Sequence, residues 1–195
     1  MVPGRFVRAL EVFEAVLAGV PAGRWESPSP CEGWCAVDVA GHVMAGLLAV
    51  REVAAGRPFP GTDPDVREVA GADPVATWRS VRADLMAALG PGTLERRVEL
   101  AVGVETTVGE WLDRYPLELL VHAWDLGQAT GRPVVFPPDL AAAALETARR
   151  FAPQGRAAGM IGPERAVPGG ADDQARLLAV FGRGPSDGPS DGDGG

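Results

Sequence analysis

Lysine is missing from this chain of 195 residues: all 18 basic positions are arginine. Against them stand 26 aspartates and glutamates, which makes the net charge −8. With no basic excess to neutralise phosphates, a nucleic-acid partner is not expected. Long apolar runs are missing too. None approaches the roughly 20 residues that a membrane-spanning helix needs. The opening MVPGRFVRALEVFEAV interrupts its apolar pattern with charges, unlike a signal peptide. The expectation is a cytoplasmic protein with no membrane partner. Cysteine is scarce, with Cys31 and Cys35 alone. They form a Cys-x-x-x-Cys pair that lacks the further thiolates or histidines of a closed zinc site. A cytosolic setting disfavours a disulfide, so they are read as partly buried free thiols. Glycine (26) and proline (18) are abundant. Together with the absent lysine, that is read as coding bias rather than as a functional signal.

The length suits one domain with a sizeable core. Phe6, Leu10, Phe13, Leu17 and Val20 step as on one helix face, ending near Gly19 and Pro21. Residues 24–34, RWESPSPCEGW, are too rich in proline for a helix, and Trp25 and Trp34 predict packing across one end of a bundle. A second, central helix is expected from Ala36 to Ala55, closed by Gly56. Its inward stripe reads Val39, His42, Gly46, Ala49, Val53, and the small residues should leave open volume beside His42. Residues 57–72 read as loop. Asp73-Pro74 caps a third helix to about Leu89, with Val75, Trp78, Val81, Leu85 and Leu89 inward. Residues 96–105 alternate at Val98, Leu100, Val102 and Val104, as a short strand or extended link.

Thr107-x-x-Glu110 is a capping box that opens a fourth helix to Thr130, with Gly131 as its stop. Pro116 inside it predicts a kink near Leu112, whose carbonyl loses its partner. Pro137-Pro138 starts a fifth helix, with Leu140, Ala144, Thr147 and Phe151 inward. Residues 155–170 read as loop, and residues 173–181 as a small C-terminal helix. The expectation is a single helical-bundle domain over 1–183 and a disordered polar tail, GPSDGPSDGDGG, over 184–195.

Only two histidines exist, His42 and His122, and both fall on inward stripes of different helices. Glu118 precedes His122 by four residues, so the two share a helix face. Buried imidazole and carboxylate groups need partners. One reading supplies them by a metal held by His42, Glu118 and His122, three ligands with a position left open, as in catalytic zinc sites. Nickel(II) or iron(II) suits the same donors. The other reading has each histidine as a core residue satisfied by one hydrogen bond. Asp125 lies one turn beyond His122. It either accepts a hydrogen bond from a ligating imidazole or pairs with Arg114 or Arg132. Arg114 is a candidate for binding a substrate carboxylate. No side chain stands out as a nucleophile, and neither cysteine falls in the His42–Glu118–His122 group on this helical register.

SPCEGWCAVDVAGHV (29–43) followed by ELLVHAWDLGQATG (118–131), with RLLAVFGRGP (176–185) at the end, resembles the DinB-like superfamily. The likeness is nearest to its actinobacterial metal-binding proteins related to mycothiol-dependent maleylpyruvate isomerase. Cys35 departs from the threonine common there, at about 1 kcal/mol of helix capping. The resemblance implies an all-α, DinB-like four-helix bundle with a short extended link before the fourth helix. It implies a divalent metal, zinc by preference, on His42, Glu118 and His122 at one end. It also implies chemistry in which that metal activates a low-molecular-weight thiol such as mycothiol, for S-transfer to or isomerisation of a small electrophile. The partners are then that thiol and its substrate, and the assembly a monomer or dimer. Two rivals from other classes are a metal-dependent hydrolase using bound water and a non-catalytic metal- or ligand-binding protein.

Overall fold

The structure, a computed structural model, describes residues 1–60, 64–101, 104–159 and 161–184. In chain order its elements are α1 (Gly4–Ala18), α2 (Ala36–Ala54), α3 (Val66–Ala70), α4 (Pro74–Ala88), β1 (Arg97–Ala101), β2 (Val104–Thr107), α5 (Val108–Arg114), α6 (Pro116–Thr130), α7 (Pro138–Ala157) and α8 (Asp173–Val180). The fold is all-α in its framework. Helices α1, α6, α2 and α4 close a four-helix ring, each packed on the next and α4 back on α1. Its core takes Phe6, Leu10 and Phe13 from α1, Met44 and Leu47 from α2, and Trp78 and Leu85 from α4. Their periodic spacing is the reason these segments are helices, since only a helix buries all of them together.

Helix α6 is buried nearly all round. One face lies in the ring. The other carries Leu120, Val121 and Trp124 against Leu140, Ala144 and Leu145 of α7 and Leu177 of α8. The second layer holds α6 from behind and so sets the register of every side chain it aims inward.

Several expectations need correction. The loop expected over 57–72 contains α3. Asp65 caps it by accepting hydrogen bonds from the N–H groups of Arg67 and Glu68, and Arg67 pairs with buried Asp38 of α2 at 2.8 Å. Five residues hold no readable helical period, so the sequence pattern was silent. The alternating stretch is an antiparallel hairpin rather than a single link. Val98 faces Thr106 and Glu99 faces Glu105, with a bulge before Ala101; Val102 lies outside the described residues. The helix expected over 107–130 is two. Pro116 brings no N–H, and Tyr115 joins α5 to α6 at φ −62° and ψ −25°. In α7 the inward face is Leu140, Ala144, Leu145, Ala148 and Ala152, whereas Phe151 is 43% exposed and Thr147 is half-buried. Leu140 and Ala144 lie inward as expected, and Thr147 and Phe151 do not, because an alanine-rich helix offers several stripes. The helix also runs past Gly155, where a Cβ would lie 3.3 Å from the Ile161 side chain, a tight approach. The tail over 185–195 lies outside the described residues.

Candidate metal centre

The site forms where three segments meet. Residues 24–35 fold back over the N-terminal end of α2. Val37 N–H reaches the Trp25 carbonyl and Ala36 N–H the Ser27 carbonyl, both at 2.9 Å, and Ser29 N–H reaches the Trp34 carbonyl at 2.8 Å. Gly33 takes φ +77° to make the turn. This is the packing across the bundle end expected from its tryptophans. It sets Trp34 against His42, ring centres 4.9 Å apart and planes tilted by 51°. Helix α2 supplies His42, two turns in. Helix α6 supplies Glu118, His122 and Asp125, one turn apart each.

His42 and His122 both point their Nε2 atoms at one oxygen, Glu118 Oε1, at 2.9 and 3.1 Å. The two rings meet edge to face, 4.9 Å between centres. Behind them, His122 Nδ1 lies 3.0 Å from Asp125 Oδ2. Asp125 is fully buried and paired side-on with Arg183, at 2.6 Å from Nε and 2.7 Å from Nη2. An arginine-paired carboxylate only accepts hydrogen bonds, so His122 donates to it through Nδ1–H. The Nε2 lone pair of a neutral His122 is then left facing the Glu118 carboxylate. Two acceptors at 3.1 Å repel unless a proton or a cation lies between them. The three donors, two imidazole nitrogens and a carboxylate oxygen, lie within 4.8 Å of one another. They are of the kind that bind zinc, so the residues present fit a divalent cation.

The electrostatics agree. Burial works against the charged forms of both groups. Against it, the neighbouring imidazoles, His122 foremost, hold the Glu118 carboxyl well below the usual carboxylate range. The Glu118 charge and the hydrogen bond to Asp125 raise His122 well above an ordinary imidazole. The pair creates a local demand for positive charge. The side chains of His42 and Glu118 are 38% and 43% exposed, His122 only 11%. The donor set is therefore anchored on one side and open on the other. His42 stands at the rim rather than inside the core as its stripe suggested.

The open side is a cavity of about 300 Å³, walled by Phe59, Trp111, Tyr115 and Leu117 and reached by Arg114. The open volume expected beside His42 is thus present. Gly46, however, is not empty space, because a Cβ there would lie 2.1 Å from the Tyr115 hydroxyl oxygen. Arg114 hydrogen-bonds Thr106 Oγ1 at 3.0 Å and lies over the Phe151 ring, 5.1 Å from its centre. Neither Arg114 nor Arg132 pairs with Asp125 in the bonds seen.

Two residues at the site escaped the sequence reading. Arg183 follows α8, 58 positions from Asp125, and no periodicity couples them. Cys31 was set apart from the histidines, yet its Sγ lies 3.3 Å from Asp125 Oδ2, 3.3 Å from Arg183 Nη2 and 4.0 Å from His122 Nδ1. It sits on the Nδ1 side of His122, away from the cavity. A loop residue carries no helical register, so only the fold could bring it there.

Residues 6–127 match the family model of the mycothiol maleylpyruvate isomerase N-terminal domain. The uncharacterized protein Rv0738 of Mycobacterium tuberculosis (strain H37Rv) is 32% identical over 178 residues, 90% of this chain and 94% of that protein. The uncharacterized protein MT0763 of strain CDC 1551 matches equally. The crystal structure of the mycothiol-dependent maleylpyruvate isomerase superposes with a TM-score of 0.66 at 19% identity, over 94% of this chain and 88% of that one. A point mutant of that enzyme gives 0.63 at 20%. At such identity the likeness is one of fold.

Proposed function

Because the chain belongs to the mycothiol maleylpyruvate isomerase N-terminal domain family, we propose that it is a divalent-metal-dependent enzyme activating a low-molecular-weight thiol of the mycothiol kind. The thiol attacks a small electrophile, either transferring sulfur to it or isomerising it. The observation that carries this reading is the convergence of His42 Nε2 and His122 Nε2 on one Glu118 oxygen beside a cavity. His42, Glu118 and His122 are the proposed ligands, with zinc preferred and nickel(II) or iron(II) suited to the same donors. A bound divalent ion would supply the positive charge that lowers the pKa of a thiol beside it.

The chain's own residues do the rest. Asp125 holds the Nδ1 proton of His122 and thereby keeps Nε2 turned to the site. Arg183 keeps Asp125 ionised. The aromatic walls limit water around a reacting sulfur, and Arg114 offers a cation to a substrate carboxylate. Cys31 is not the nucleophile in this scheme, since it faces Asp125 and Arg183 rather than the cavity. A reaction that needs a reduced thiol suits the cytoplasm.

The test is cobalt(II) substitution followed by addition of mycothiol. A sulfur-to-cobalt charge-transfer absorption is expected. Glu118→Ala should abolish it, while Cys31→Ser and Cys35→Ser should retain it. Turnover of electrophiles that needs metal but no thiol would replace this reading with a hydrolase. Tight metal binding with no response to any cellular thiol would leave a binding protein.

A further inference from the structure

Tyr115 is the residue that the scheme above leaves unused. It is 7% exposed and lines the cavity next to Glu118. Its ring is fixed edge-on by Phe6, 5.9 Å between centres, and by Trp111 at 6.2 Å. Its hydroxyl is not accounted for by that packing. Among the described residues it makes no hydrogen bond, and it is not sealed off among the buried unsatisfied atoms. A phenol nine-tenths buried normally finds a partner. Here the O–H lies against Gly46, and both residues line the cavity.

The fold makes room for it in two ways. Gly46 of α2 has no Cβ, and one placed there would sit 2.1 Å from the hydroxyl oxygen and 3.4 Å from Cζ. The break before Pro116 places Tyr115 between two helices, one turn ahead of Glu118. An alanine, the better helix former at position 46, is thus incompatible with the observed position of this hydroxyl.

We propose that Tyr115 is a substrate-binding residue whose hydroxyl donates a hydrogen bond to an oxygen acceptor on the electrophile bound in the cavity, with Gly46 holding the space it needs. This rests on the reading of the His42–Glu118–His122 end as a reaction site. The ligand chemistry follows from the walls: a small apolar body against the Phe59–Trp111 pair, whose rings meet edge to face 5.8 Å between centres, and an oxygen for Tyr115. Burial first, and the Glu118 charge second, push the phenol well above its ordinary range, so it acts as a donor and keeps its proton.

Tyr115 is the chain's only tyrosine, which gives a direct probe. Protein labelled with carbon-13 at tyrosine Cζ shows one signal from this position. In the metal-loaded full chain, adding benzoate or pyruvate should shift that signal saturably. Tyr115→Phe keeps the ring packing and should bind the same probe roughly tenfold more weakly, the size of one hydrogen bond, with metal content unchanged. Gly46→Ala should displace the signal before any probe is added. A signal that neither probe moves at its highest soluble concentration overturns the proposal, as does equal affinity in Tyr115→Phe. Loss of the metal reading would appear separately, as absent metal in the unmutated protein, whereas a silent tyrosine signal in protein that does hold metal overturns this proposal alone.

Discussion

At the scale of single residues, Asp125 is the buried charge on which the site depends. It has no exposure, and it is met by Arg183, by His122 and by the Cys31 thiol. Burial alone would raise its pKa, but the hydrogen bonds from His122 and Arg183 hold it below the usual range. Removing one partner of a buried ion pair leaves the other charge uncompensated, which costs far more than the pair itself is worth. Arg183→Ala should therefore destabilise the fold by about 3 kcal/mol, read as a lower urea midpoint at unchanged slope. Asp125→Asn combined with Arg183→Ala should cost clearly less than the sum of the two single changes. An additive double mutant would mean that the two side chains act independently.

At the scale of elements, close approach matters more than propensity. Helix α3 comes so near α2 that a Cβ on Gly41 would lie 1.9 Å from the Val66 carbonyl oxygen. That atom is backbone and cannot swing aside. Gly41→Ala should cost about 2 kcal/mol through overpacking, a fall in thermal midpoint of ~6 °C for a chain of this size. Gly90→Ala, where nothing lies within 4 Å, is the control and should be near neutral. The buried Asp38 feels the same junction, since Arg67 of α3 is its ion partner. Loosening α3 thus also exposes the N-terminal end of α2, the helix that carries His42.

At the scale of the whole molecule, the centre bridges elements that are distant in sequence. His42 comes from one helix of the ring and Glu118 and His122 from another, so an ion bound to all three ties α2 to α6. Anything that binds the native state alone stabilises it, by about 2.7 kcal/mol at a free concentration 100 times the dissociation constant. Zinc should raise the thermal midpoint of the full chain, and a chelator should return it. His122→Ala should show no response to zinc and no stoichiometric metal on elemental analysis. A midpoint that rises with zinc as much in His122→Ala as in the unmutated chain would place the ion elsewhere.

What the sequence determined by itself is what depends on local order. Apolar spacing placed the four ring helices, Asp73-Pro74 marked the start of α4 and Thr107-x-x-Glu110 that of α5, and the two histidines singled out α2 and α6. Glu118 and His122 could be paired because four residues along a helix is a fixed displacement. Only the tertiary structure decided the rest. A five-residue helix such as α3 has no period to read and exists because Asp65 caps it and α2 receives it. The face of α7 was ambiguous in a run of alanines until α6 and α8 packed on it. Cys31 and Arg183 reach Asp125 across 94 and 58 positions, distances over which spacing carries no directional information. The partner of Gly46 turned out to be a hydroxyl, because which side chain fills the room left by a missing Cβ is settled only when two helices meet.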